Sequence, residues 1–222
     1  MLTYKVRRAS KAPALDGKWD SADWKNAAIA ELTNFRKEGS DHKPKVQAKL
    51  LWTERAIHGL FKVEDRYVRA VITDYQGSVC TDSCAEFFFK PKMDKGYFNL
   101  EMNCGGTILI SYITDHTRAP DGFRKFIRLP KEDGDAIKIY HSMPSVVEPE
   151  VTDPVTWYVG FSVPLKMLEK YVGSLSLKAD DIWTANFYKC ADRTSHPHWA
   201  SWSPVDELNF HLPRCFGQLE FC

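Results

Sequence analysis

The residues best suited to chemistry in this chain are two carboxylates and an amide, Glu86, Glu101 and Asn186, with Tyr188, Trp199 and Trp202 as aromatic companions. Carboxylates and amides held in a row on a rigid sheet supply the acceptors and donors that a polar, uncharged, hydroxyl-rich ligand needs. Aromatic faces add a surface on which its apolar side can stack. A second chemistry would use the same acids: glycoside hydrolysis needs two carboxyl groups flanking the scissile bond, and Glu86 with Glu101 is the available pair. Two strand-borne acids on an open face are more often hydrogen-bond acceptors or solvated residues, so binding is the leading expectation. Trp199 and Trp202 stand close together beside the loop His196-Pro197-His198, where two large rings are hard to bury at once. Core packing is the plain alternative for Trp202, and salt bridging is the plain alternative for Glu86.

Alternation of side chains is what must aim these groups. From Asp82 to Asn103 the sequence reads as a hairpin, with Ala85, Phe87 and Phe89 on one face of the first arm and Glu86 and Phe88 on the other. In the second arm Phe98, Leu100 and Met102 oppose Asn99, Glu101 and Asn103, and the Gly-ended turn Lys92-Met93-Asp94-Lys95-Gly96 joins the two. The stretch from Trp183 to Lys189 repeats the pattern: Trp183, Ala185 and Phe187 share one face, and Thr184, Asn186 and Tyr188 the other. Further strands are expected at Tyr4–Arg8 (an edge strand), Val46–Trp52, Ala56–Val63, Thr107–Tyr112, Asp135–Tyr140 and Trp157–Pro164, and Asn209–Phe221 is read as a loop leading into a closing strand. Thr114–Lys125 is polar and contains Pro120 and Gly122, which predicts an exposed loop over one end of the sheet. One short helix is expected over Leu165–Tyr171, with Pro164 near its start and Gly173 at its end. About eight to ten strands at this spacing describe an all-β sandwich, and residues 1–222 are read as one domain.

The charge balance, 30 basic against 29 acidic residues with no basic stripe, argues against nucleic acid as a partner. No apolar run reaches the roughly 18 residues of a membrane-spanning helix, and the N-terminus lacks the apolar core of a signal peptide. A cytoplasmic location is expected if the chain is complete as given, and an extracellular or periplasmic one if a leader has been removed. The six cysteines are sparse for a chain of this length, which suits buried free thiols better than a disulfide framework. Cys80 and Cys84 have no matching pair at zinc-site spacing. Asp82 and Glu64-Asp65 fall at loop edges where clustered oxygens could hold calcium, although no EF-hand-like spacing supports it.

In order along nearly the whole chain, the sequence resembles the family 9 carbohydrate-binding modules, often attached to xylan-degrading enzymes. The matching pieces include Leu15-Asp16-Gly17-Lys18-Trp19-Asp20 with Trp24, Phe61 to Asp65, Asp82 to Phe88, Phe98 to Asn103, Trp157 to Leu165, Asn186-Phe187-Tyr188 and Trp202 through Phe216-Gly217. The resemblance implies a jelly-roll-like antiparallel β-sandwich that binds sugars, often at the end of a glycan, with calcium in some members. It further implies a plant-type oligosaccharide or polysaccharide such as xylan or cellulose fragments as ligand, and a glycoside hydrolase as a partner. Glu86 falls on the family's acidic strand residue and Asn186 on the amide of its late strand. The sequence departs from the pattern at Cys80, where sugar-binding members place a Trp. Tyr188, Trp199 or Trp202 would then supply the platform, unless the domain has kept the sandwich for protein interaction and lost the sugar.

Overall fold

The computed structural model describes residues 1–120 and 122–222. In chain order the strands begin with β1 (Thr3–Arg8), β2 (Ala30–Glu31), β3 (Asn34–Phe35), β4 (Lys45–Thr53), β5 (Ala56–Asp65) and β6 (Val68–Ala70). There follow β7 (Cys84–Lys90), β8 (Tyr97–Asn103), β9 (Ile108–Ala119), β10 (Gly122–Arg128), helix α1 (Lys131–Ala136), β11 (Lys138–His141) and β12 (Val147–Val151). The chain closes with β13 (Val155–Pro164), helix α2 (Leu165–Val172), β14 (Ile182–Cys190), β15 (Trp199–Ser201) and β16 (Gly217–Phe221). No helix among the described residues is long and apolar enough to cross a membrane.

The strands form two layers joined by β1. One layer runs β10-β9-β8-β7-β14-β16-β1 and the other β1-β4-β5-β13-β11. The long ladders are antiparallel, as expected of a β-sandwich, except that β1 runs parallel to both its neighbours. Its residues Thr3–Val6 pair with β16, whereas Arg7 and Arg8 pair with β4, so this strand passes from one sheet to the other. The expected edge strand is therefore the seam of the sandwich. Its alternation explains this: Tyr4 and Val6 are buried, and the Tyr4 hydroxyl donates to the Ala28 carbonyl and accepts from the Leu50 N–H.

The core lies where the apolar sides of the two layers meet. Phe87 stacks on Phe89 and Phe187 within its own sheet and on Phe161 of the facing sheet, at centroid distances of 4.8, 5.2 and 5.4 Å. Each such ring, fully buried, contributes about 1.5–3 kcal/mol of transfer free energy before entropy is counted. The other side of β4 and β5 is also covered, because Trp19 and Trp24 fold back onto Leu51 and Leu60. That is why β4 is buried almost along its whole length rather than at alternate positions.

Three expectations change. The segment Thr114–Lys125 is not a loop but part of a two-stranded arm, β9 with β10, although Asp121 itself lies outside the described residues. Residues Lys131–Ala136 form a second short helix where an early strand start was expected. Residues Val68–Ala70, outside every strand expected from the sequence, pair with β12.

Lys189 follows the parity of Phe187 and so points into the sandwich, where it is fully buried. Its ammonium donates to the Cys190 carbonyl at 2.9 Å and to His198 Nε2 at 2.8 Å, and lies 3.7 Å from Asp65. Burial and the Lys189 charge push His198 down to about 3, so its ring is neutral and can accept. Burial alone would raise the Asp65 carboxyl, but Lys189, His42, His198 and Trp157 together hold it at about 2. Breaking such a pair strands a buried charge. Lys189→Met is therefore expected to lower stability by about 3–5 kcal/mol in urea unfolding, and by clearly less in an Asp65→Asn background. Equal losses in the two backgrounds would show that the pair is not what makes Lys189 necessary.

Candidate functional site

Direct pairing across antiparallel strands places opposite residues on the same face. On the outer face of the larger sheet one row reads Leu109, Glu101, Glu86, Tyr188, from β9 to β14. The next row reads Ser111, Asn99, Phe88, Asn186. On the other side Asn103, Cys84, Cys190 and Trp199 line up from β8 to β15. The polar face expected from the sequence exists, and Glu86, Glu101, Asn186 and Tyr188 share it.

What lies over this face decides which of those residues can meet a ligand. The segment Val205–Phe216 folds across one side, packing Val205, Leu212 and Phe216 onto Phe88, Tyr97 and Tyr188. The remaining area is a recess of about 400 Å³, within the range of small-molecule pockets. Its floor carries Glu86, Glu101, Asn99, Ser111 and Cys190. The β9–β10 arm contributes Arg118, Phe123, Phe126 and Arg128, the tail contributes Asn209, Phe210 and His211, and Cys80, Asp192 and Trp199 complete the lining.

Of the residues singled out from sequence, Glu86, Glu101 and Trp199 line the recess, and Asn186, Tyr188 and Trp202 do not. Asn186 is buried beneath the tail, where its amide donates to the Ser203 carbonyl and accepts from the Ser203 N–H. Tyr188 lies flat under Phe210 at 4.1 Å and donates its hydroxyl to that residue's carbonyl. Trp202 belongs to the main core, edge-on to Tyr4 and Phe187. Alternation assigned Asn186 and Tyr188 to the right face, but the tail turns that part of the face into an interior.

The floor is electrostatically tense. Glu86 and Glu101 sit directly opposite each other and both are buried. Burial first, and then the neighbouring Glu101 charge, push the Glu86 carboxyl well above the usual carboxylate range, only partly relieved by the Cys190 thiol that donates to it at 3.0 Å. Burial likewise pushes Glu101 up to about 7, against the pull of the Asn99 amide, which donates at 2.8 Å. Both carboxyls are thus biased toward keeping a proton, and a carboxyl that keeps one can donate as well as accept. The partners are fixed: the Asn99 carbonyl oxygen accepts from the Ser111 N–H, and the Trp199 indole donates to Asp192 at 2.8 Å. Arg118 lies over the Phe123 ring at 4.7 Å, and His211 accepts from the Tyr97 hydroxyl. Side by side on one floor, Glu86 and Glu101 face a ligand from the same side, an arrangement suited to bonding neighbouring hydroxyls.

Sequence reasoning missed Arg118, Phe123, Phe126 and Arg128. The signal was present, since Pro120-Asp121-Gly122 is a turn sequence of the kind that joins two strands. The calcium positions do not fit a calcium ion. Asp65 accepts from His42, the Arg66 N–H and Trp157 beside the Lys189 ammonium. One Asp82 oxygen accepts from Val71, Ile72 and Asn103, and the other faces Arg69 at 3.6 Å. Glu64 pairs with Lys45 and Lys62. A hard dication would meet a positive neighbour in each place, and at Asp65 lone pairs already used on both oxygens.

A β-sandwich with an acid-floored, aromatic-walled recess on one outer face has the build of a carbohydrate-binding module. The chain belongs to carbohydrate-binding family 9, whose family profile matches residues 16–221. Its structure is similar to that of a Bacteroides uniformis protein described as a candidate carbohydrate-binding protein, with a TM-score of 0.83 and 27% identity over 99% of both chains. It shares its fold with a family 9 module of Caldicellulosiruptor kristjanssonii solved with glucose, at a TM-score of 0.64 and 11% identity over 98% of this chain and 95% of that one. A family 9 module of the same organism solved with cellotriose gives 0.63 and 12%, over 99% of this chain and 93% of that one. Among curated proteins, none matches the sequence.

The strain on the floor is measurable. With a folded pKa of about 7 against 4.5 unperturbed, Glu101 costs stability progressively as pH rises from 4.5 through 7. Glu101→Gln, measured in EDTA, should match wild type at the acidic end of that range. Above about pH 8 it should be more stable by on the order of 1–3 kcal/mol. A difference independent of pH would refute this account of the floor.

Proposed function

We propose that residues 1–222 act as one non-catalytic carbohydrate-binding domain that takes the end of a plant-type glycan, such as a cellulose or xylan fragment, into the recess. The observation that carries this reading is the Glu86–Glu101 pair on the floor with Trp199 pinned at the wall by Asp192. Glu86 and Glu101 bond the ring hydroxyls, one as donor and one as acceptor, and Asn99 and Ser111 extend that polar row. Trp199, with Phe126 and Phe210, supplies the apolar surface that the family places at the position of Cys80. The recess has room for roughly one or two sugar rings, which suits a chain end better than a passing strand. The partner such a domain serves is a glycoside hydrolase acting on the same glycan.

Calorimetric titration with glucose, cellobiose, cellotriose and xylo-oligosaccharides tests this. Saturable binding of at least one of them is expected, weakened by at least about tenfold in Trp199→Ala and in Glu86→Gln. Asn186 and Tyr188 lie outside the recess, so Tyr188→Phe should bind as wild type does. No heat with any sugar would point instead to a domain that has kept the sandwich for contact with another protein.

A further inference from the structure

Beneath the sugar-facing groups is a second set of donors. Cys84 and Cys190 are directly opposite each other across β7 and β14, and Glu86, two residues on from Cys84, points to the same side. One Sγ from each cysteine and one carboxylate oxygen of Glu86 lie within 4.8 Å of one another. We infer that Cys84, Cys190 and Glu86 form a three-ligand site for a thiophilic divalent cation, of the Zn2+ class, with its remaining coordination position open to the recess.

Four observations carry this. The donor atoms are nearly at the spacing required: a tetrahedral ion with metal–sulfur bonds of about 2.3 Å and metal–oxygen bonds of about 2.0–2.2 Å separates its ligands by roughly 3.3–3.8 Å. The Cys190 Sγ and the Glu86 carboxylate are already 3.0 Å apart, and all three donors are carried by directly paired strands. Secondly, Glu86 is only 2% exposed, yet among the described residues the one hydrogen bond it accepts comes from the Cys190 thiol, a weak donor. The other buried carboxylates are met by stronger donors: Asp65 and Asp82 by N–H groups, Asp133 by Lys170 and Tyr171, and Glu101 by Asn99. Thirdly, Glu86 and Cys190 line the recess, which gives an ion a way in and leaves one position for water. Fourthly, two thiolates with one carboxylate select a borderline-soft ion over calcium or magnesium. On binding, each thiol releases its proton to solvent, and Glu86 releases the one its carboxyl holds. The resulting excess negative charge is tempered by Lys189, whose ammonium acts on both Cys84 and Glu86.

The test uses Co2+ as a spectroscopic probe on the full chain, reduced and freed of metal with EDTA. Thiolate-to-cobalt charge-transfer absorption should grow to one Co2+ per chain and be bleached by one equivalent of Zn2+. Cys84→Ser and Cys190→Ser should abolish the band, and Cys222→Ser, at an exposed thiol elsewhere, should leave it intact. Glu86→Gln keeps the shape of the floor and both thiols, so it guards against variants that fail to fold. Its Zn2+ affinity should fall by at least about tenfold, no less than the loss typical of an outer-shell partner. Absence of the band in wild type, its survival in the serine variants, or unchanged Zn2+ affinity in Glu86→Gln would each overturn the assignment. Sugar titration in EDTA reads the carbohydrate function separately, so either can fail without the other.

Discussion

Phe87 is the residue through which the two layers are held in register. It stacks on neighbours after it in the strand, beside it and across the sandwich, and its place at the centre of these stacked rings fixes which side of β7 faces inward. Because side chains alternate with a period of two, that choice also turns Glu86 outward, and the pairing of β7 with β8 brings Glu101 beside it. A slip of one residue in β7 would drive Glu86 into the core and turn Phe87 and Phe89 outward. The packing of the interior and the composition of the recess are thus one constraint seen from opposite sides of the sheet.

The same sheet carries buried charge on both faces, handled in opposite ways. Inside the sandwich Lys189 is matched by Asp65 and by a histidine kept neutral, so every formal charge has a partner. On the recess side Glu86 and Glu101 have only an amide and a thiol to soften them. One arrangement is a closed network that stabilises the fold. The other leaves acceptor capacity unspent, which is what a binding surface requires and what a core cannot tolerate.

Much of the fold was legible because alternation is a strong signal. The hairpin of β7 and β8, the late strand β14 and the helix ending at Gly173 all read directly from the positions of Phe, Leu and Glu. Alternation says which face a residue occupies and nothing about what later covers that face. Asn186 and Tyr188 were therefore mistaken for ligand contacts, since the covering segment Val205–Phe216 has no periodic pattern to announce where it lies. The β9–β10 arm was read as loop because its exposed strands are polar on both sides, with little apolar alternation to betray them. Trp199 and Trp202 differ in fate for a related reason: Trp199 pairs beside Cys190 on the short strand β15, while Trp202, just past its end, turns into the gap beside Gly217.

The seam strand β1 has a mechanical meaning. Because it runs parallel to β16, the first residues of the chain lie at one end of that pair and the last residues at the other. A pull between the two ends draws the paired strands lengthwise past each other, so their cross-links resist together rather than parting one by one. Tension applied across the ends of the described strands therefore falls on the joint where both layers meet.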